Sequence, residues 1–380
     1  MQKDTIVVTN AYSCEPPPPP YTPSAPLYPY LEPRFQWLTD EPPLNFQALS
    51  EFLGSKSWTP SMIEQFRQNL RTIPMRYYVY DDSGSMASRD GSKKGPSGHY
   101  HTCTRWEELT DSMKFQFIAS NEGNIRSKFL FLNNKKIYAT CEPSSNGEML
   151  NEMLTMEGGG TPLCETINRI ANDIESYKDG LIQLRKKVIV FIATDGEASD
   201  GDVTIPLRRL KELPVYLILR LCTNQERIVD YWNQIDKDLE LHLDVLDDFC
   251  SEAKEVYDVN PEICYSEPLH QYREFGTKTQ EMDLLDETKL SYDQLNNFAS
   301  MIYGRDFLDG NAVTNNSIIS KSYSSHIYAP FCVVTGRTRN YVTFPKTTEV
   351  IFRQESRCPT NITPIREGSG KKKSSGCIIC

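Results

Sequence analysis

The chain has 380 residues, 24 prolines, eleven cysteines and a formal charge of −10, enough length and apolar content for one large domain or two modest ones. Its longest clear apolar run, residues 188–193, is far below the roughly 18 residues of a membrane-spanning helix, and the first twenty residues lack the apolar stretch of a signal peptide. The acid excess disfavours a nucleic-acid partner, and an odd cysteine count without framework spacing fits reduced thiols in the cytoplasm better than disulfides.

Residues 1–43 hold eleven of the prolines, which predicts an extended, disordered arm. Within it Pro18-Pro19-Pro20-Tyr21 fits PPxY, Pro23-Ser24-Ala25-Pro26 fits P[ST]AP, and Tyr28-Pro29-Tyr30-Leu31 fits YPxL. Together these three resemble the late-domain motifs of retroviral Gag proteins and of cellular adaptors that recruit the ESCRT membrane-scission machinery. The resemblance implies, in the same order, WW domains of HECT-type ubiquitin ligases, the UEV domain of ESCRT-I and ALIX-type adaptors as partners. A preformed polyproline helix loses little entropy on docking into an aromatic-lined groove. Each motif also arises by chance in proline-rich sequence, so an inert linker stays open as the alternative.

Residues 44–72 read as a helical N-terminal arm, with helices over 44–53 and 60–70. In the second, Thr59 is a plausible N-cap, Pro60 opens the first turn, and Met62, Ile63, Phe66 and Leu70 share a face. From 73 to 265 strands and helices alternate, as a mainly parallel sheet demands. The aromatic, β-branched run Tyr77-Tyr78-Val79-Tyr80 predicts a buried strand, and it ends in Asp81-Asp82-Ser83-Gly84-Ser85. In open parallel sheets ligands bind outside the carboxyl ends of the strands, so the D-x-S-x-S oxygens of Asp81, Ser83 and Ser85 arrive where a ligand is expected. Residues 87–98 read as a Gly/Ser/Lys loop. His99, His101 and Cys103 read as its polar rim rather than a zinc fragment, since no fourth ligand is near. A helix over 105–120 and strands over 128–132 and 136–140 follow. The sequence Gly158-Gly159-Gly160-Thr161-Pro162 then predicts Thr161 as the N-cap of a helix. The run 188–193, without alternation, reads as a strand buried on both faces that delivers Asp195. A short helix (207–213), a strand (215–221), a helix (225–239), a strand (242–245) and a closing helix (247–257) complete the alternation.

Asp81, Ser83 and Ser85, then Thr161, then Asp195 resemble in order the metal-ion-dependent adhesion site of the von Willebrand factor A (vWA) family. The resemblance covers about half of the chain. It implies a doubly wound α/β fold with a mainly parallel sheet flanked by helices, and a Mg²⁺ (or Mn²⁺) held by those five residues. It further implies one coordination position left for an acidic side chain of a protein partner. An oxygen-only donor set suits such a hard cation better than zinc.

Residues 266–310 read as a helical extension, whose best element is capped by Ser291 with Gln294. Residues 311–380 form a polar and basic tail with one weak strand pair, 327–334 and 341–344, the first demoted to an edge by Pro330. From 335 onward nine basic side chains face three acidic ones, a balance of +6 that leaves −16 for the rest. The chain ends in Lys371-Lys372-Lys373 and Cys377-Ile378-Ile379-Cys380, a C-a-a-X pattern that makes Cys377 a prenylation candidate. One lipid chain binds membranes only marginally, and an adjacent basic cluster is the second signal that stabilises attachment to an anionic surface. The terminal Cys lies outside the common farnesyl and geranylgeranyl choices, which leaves the lipid open.

These features together predict a non-catalytic adaptor on the cytoplasmic face of membranes, presenting a Mg²⁺-dependent ligand-binding domain and recruiting ubiquitin ligase and ESCRT factors. A scaffold subunit of a ubiquitin- or chaperone-linked complex with an inert proline linker is the alternative. A metal-dependent hydrolase is the weaker one, because no P-loop, Gly-x-Ser-x-Gly elbow or Cys/His nucleophile pair is present.

Overall fold

A computed structural model describes residues 31–39, 44–95, 99–141, 147–223, 225–239, 243–277, 279, 281–304 and 330–343. It opens on a 3-10 helix, Pro33–Leu38, inside the segment expected to be disordered. Phe35 and Leu38 are buried there, and Leu31 packs half-buried on the same cluster. Helices α1 (Phe46–Ser55) and α2 (Pro60–Thr72) follow. Thr59 caps the second as expected, its hydroxyl accepting the Met62 N–H at 3.2 Å.

In chain order come β1 (Arg76–Tyr80), β2 (Gly91–Lys94), β3 (Tyr100–Cys103), α3 (Arg105–Glu122), β4 (Ser127–Phe131), β5 (Ile137–Ala139) and α4 (Gly147–Met153). They are followed by α5 (Leu163–Glu175), α6 (Lys178–Leu184), β6 (Val188–Thr194), α7 (Thr204–Lys211), β7 (Val215–Leu221) and α8 (Glu226–Leu239). The last elements are β8 (Leu243–Leu246), α9 (Phe249–Val259), α10 (Glu267–Glu274), α11 (Tyr292–Tyr303), β9 (Phe331–Cys332) and β10 (Arg337–Thr338).

Six strands form one sheet in the order β5-β4-β1-β6-β7-β8, all parallel except the edge strand β5. The chain winds outward from β1 to β4 and β5, then restarts at β6 and winds the other way. The direction therefore reverses between β1 and β6, the doubly wound arrangement that places a crevice at those two strand ends. Every residue of β1 and β6 is buried, because helices cover both faces. Alternation along the strands divides the core: Tyr77, Val79, Val190 and Ile192 face the cluster built with α5 to α8. Tyr78, Tyr80, Ile189 and Phe191 face the other, built with α1, α2, α3, α9, α10 and α11.

The segments read as a helical arm and a helical extension thus share one core cluster with the sheet. Trp58 of the first is fully buried beside Tyr272 and Phe275 of the second. The Ser291–Gln294 capping box is present, with both of its hydrogen bonds formed. Other expectations change. Residues 91–94 pair with 100–103, so His101 and Cys103 lie on a hairpin strand instead of a loop rim. Within 327–334 the described strand is only Phe331–Cys332, paired to Arg337–Thr338, and Val342 bridges Ile263 rather than that strand. A two-residue pairing fits the breaking effect of Pro330. Pro18, Pro19, Tyr21, Pro23, Ser24, Ala25, Pro26, Tyr28 and Pro29 lie outside the described residues, as do Lys371, Lys372, Lys373 and Cys377.

Candidate functional site

The ends of β1 and β6 deliver the first two carboxylates. Asp81 is fully buried directly after β1, and Asp195 is buried directly after β6. Asp81 is held on both oxygens: Ser83 donates its backbone N–H to one at 2.9 Å, and the Thr194 hydroxyl donates to the other at 2.6 Å. The loop then folds back, so that the Ser83 and Ser85 hydroxyls lie 3.0 Å apart and the Ser85 hydroxyl donates to Asp195 at 2.7 Å. Four of the five expected residues are therefore joined in one polar chain.

The fifth, Thr161, stands on the facing loop. Gly84 donates its N–H to the Gly159 carbonyl at 3.1 Å and Gly158 donates to the Asp82 carbonyl at 2.9 Å, which ties that loop to the D-x-S-x-S turn. Gly158 and Gly159 have φ of +78° and +116°, and an added Cβ on Gly159 would lie 2.5 Å from Asn133 Oδ1, so only glycine fits there. Thr161 is not the helix cap that its sequence position suggests. Helix α5 begins at Leu163, and Asp200 takes the cap role, its carboxylate accepting the N–H groups of Cys164 and Glu165 at 3.0 and 2.8 Å. Pro162, with a non-helical ψ of 64°, occupies the residue before the helix, so the helix starts past the threonine. Ser199 instead fixes Thr161, accepting its backbone N–H at 2.8 Å.

Sequence reasoning missed Arg105. It sits in the first turn of α3, is 4% exposed, and donates to Asp195 at 2.7 Å and to both oxygens of Asp90 at 2.7 and 2.6 Å. A cation in the first turn opposes the helix dipole, and that was the available signal of a counter-ion role. Asp82 was also missed. Fully buried, it accepts the backbone N–H groups of Asn133 and Asn134 at 2.8 and 3.2 Å and so fixes the turn after β4 beside the site.

The donor set is two carboxylates and three hydroxyls, all oxygen, which fits a small hard dication. Among the described residues no group of three or more His, Cys, Asp or Glu is arranged to hold a metal, so a cation here relies on the hydroxyls as well. Burial pushes the Asp81 carboxyl up, against the hydrogen bonds from Ser83 and Thr194, and Asp195 adds to the rise. A cation between the two acids would relieve that cost. Arg105 already supplies part of the compensating charge to Asp195. Arg105→Gln is expected to tighten Mg²⁺ binding on the order of tenfold, read by calorimetry, since a nearby like charge is removed. Unchanged affinity would show that Arg105 does not contend with the ion.

No family model and no curated protein matches the chain. Solved structures do. They include the VWA domain of SpRpn10, 11% identical over 46% of this chain and 89% of that one, with a TM-score of 0.30. An aerotolerance-related membrane protein from Bacteroides fragilis is 11% identical over 54% and 99%, with a TM-score of 0.34. BatB from Bacteroides thetaiotaomicron, a conserved hypothetical protein, is 13% identical over 52% and 98%, with a TM-score of 0.32. The domain has a doubly wound, mainly parallel α/β fold. Strand order brings these side chains together at the switch point of the sheet.

Proposed function

We propose that the vWA-like domain is a non-catalytic binding module which holds Mg²⁺ or Mn²⁺ through Asp81, Ser83, Ser85, Thr161 and Asp195. The observation that carries this reading is the polar chain Ser83–Ser85–Asp195, beside the buried Asp81, at the sheet's switch point. The ion, when bound, supplies positive charge able to take a carboxylate oxygen from a protein partner. The chain's own residues position it: Thr194 and the Ser83 N–H orient Asp81, Ser85 orients Asp195, and Ser199 fixes the Thr161 backbone.

In the fuller reading the proline-rich arm recruits WW-domain ubiquitin ligases, the ESCRT-I UEV domain and ALIX-type adaptors for sorting, budding or vesicle release. The lysines at 371–373 and a prenyl group on Cys377, farnesyl or geranylgeranyl, tether the protein to the cytoplasmic face of membranes. Cys377→Ser is expected to move the protein from the membrane to the soluble fraction on cell fractionation, and an unchanged distribution would remove the anchor. A peptide of the arm is expected to capture the three partner classes, each lost with Tyr21→Ala, with Pro23→Ala plus Pro26→Ala, or with Leu31→Ala. Capture of none by the wild-type peptide would end the recruitment reading. One observation favours the scaffold alternative, in which the arm is inert: Leu31, the last residue of the third motif, packs on the domain core.

A further inference from the structure

A groove of about 780 Å³ opens where α1, the β2–β3 hairpin, α3, α10 and the C-terminal hairpin meet. It shares no residue with the candidate metal site. Phe52 and Phe115 belong to its lining with ring centroids 5.5 Å apart, and Trp58 backs Phe115 at 6.1 Å. Tyr100 and Phe331 add two further rings, and these two and Phe52 are only half-buried. The groove thus keeps apolar area for a partner to cover.

Its charge is opposite to that of the body around it. Lys56, Lys93, Lys94 and Lys114 line the groove against only Asp111 and Glu267, an excess of two positive charges in a chain that carries −16 before residue 335. Asp111 is already shared, at 2.9 Å from Lys93 and 3.6 Å from Lys114, whereas Lys94 comes no closer than 4.0 Å to Glu267. Lys56 forms no ion pair among the described residues. Its ammonium stands 5.8 Å from the centroid of Phe52, as that of Lys94 stands 5.9 Å from the centroid of Phe331. Two under-compensated cations therefore flank half-exposed rings. Past Tyr100 and Gln271 the groove leads into a cavity of about 50 Å³ that Arg220 also lines, and the buried Arg220 Nε–H has no acceptor among the described residues. A buried donor of this kind ordinarily meets an oxygen from water or from a ligand.

We propose that this groove docks a short acidic peptide segment of a partner protein, with an aromatic side chain laid on Phe52, Phe115 and Phe331 and carboxylates on Lys56 and Lys94. A nucleic acid or an anionic membrane would spread negative charge beyond the groove onto the acid-rich body. A short peptide keeps its charge within the screening length of about 8 Å, where the lysines prevail. The stretch of this chain that leads into the hairpin, residues 305–329, is balanced, with Arg305 and Lys321 against Asp306 and Asp309, so it does not bring the complementary charge.

The test titrates the full chain into a fluorescein-labelled short peptide, one tryptophan flanked by glutamates, and reads fluorescence anisotropy in EDTA. Without a divalent ion the candidate metal site contributes nothing, so success or failure here is separate from success or failure there. Saturable binding is expected, weakened on the order of tenfold by Lys56→Glu combined with Lys94→Glu and unchanged by Asp81→Ala. The same peptide with lysines in place of its glutamates is expected not to bind. Phe331→Ala is expected to weaken binding by a similar factor and decides the matter if circular dichroism shows the charge variant misfolded. No binding by wild type, as a segment of the chain already seated in the groove would produce, would overturn the proposal. So would binding indifferent to these folded variants, or tighter binding of an oligothymidylate or of phosphatidylserine vesicles that the same lysine changes abolish.

Discussion

Arg220→Met is expected to destabilise the domain by about 3–5 kcal/mol, because it leaves carboxylates in the core without their cation. Arg220 is 2% exposed, and its guanidinium reaches Glu274 at 2.7 Å and Glu108 at 2.8 Å. Glu274, fully buried on α10, also accepts from Ser112 at 3.1 Å and from Gln116 at 3.2 Å. Burial pushes both carboxyls up, and Arg220 is the main pull in the other direction. Removing it lets both rise further. A carboxyl whose folded value is raised contributes stability below its unfolded value and loses it as pH climbs through the folded one. The deficit of Arg220→Met relative to wild type is therefore expected to widen as pH rises above the ordinary glutamate range, measured by urea denaturation at each pH. A deficit independent of pH would contradict the account of these acids. Adding Glu274→Leu is expected to recover part of the loss, since an apolar pair of similar volume removes the unpaired charge.

Trp58→Ala is expected to cost about 3–5 kcal/mol, as for large core aromatics elsewhere. The indole is fully buried, with ring centroids 5.4 Å from Tyr272, 5.7 Å from Phe66 and 6.1 Å from Phe115. Its Nε1–H donates to Gln271 at 3.3 Å. Trp58 lies between α1 and α2, so the measurement asks whether residues 44–72 are part of the domain or an appendage. A loss below about 1 kcal/mol in the denaturation midpoint analysis would mark them as an appendage, in the range of ordinary surface substitutions.

What the sequence disclosed and what it withheld follow from the range of the forces involved. Strands β1 and β6 were readable because an uninterrupted apolar run of that length buried on both faces has few other uses, and each ends abruptly in an acid. That was enough to bring Asp81 and Asp195 to adjacent strand ends. Amphipathic α2 announced that Met62 and Phe66 would be buried, but periodicity does not say against what, and α2 packs on α11 and on Phe275 just after α10, some two hundred residues or more away. Helix α10 itself reads as polar, Pro-Leu-His-Gln-Tyr-Arg-Glu, and is nonetheless buried from Pro268 to Glu274. Its charges are satisfied by Arg220 and by Glu252, which bonds Arg273, and neither pairing has a local sequence signature. Arg105 was hidden for the same reason, its partners being Asp90 and Asp195. Thr161 misled as a cap because Asp200, from a different loop, took that position.

The central claim is that five oxygen-bearing side chains at the β1–β6 switch point hold one divalent cation. Calorimetric titration of the full chain with Mg²⁺, beside Asp81→Ala and Asp195→Ala, tests it directly. Saturable binding of one ion by wild type, lost in both variants while their circular dichroism is unchanged, is the predicted result. Absence of binding by wild type, or equal binding by folded Asp81→Ala, would contradict it.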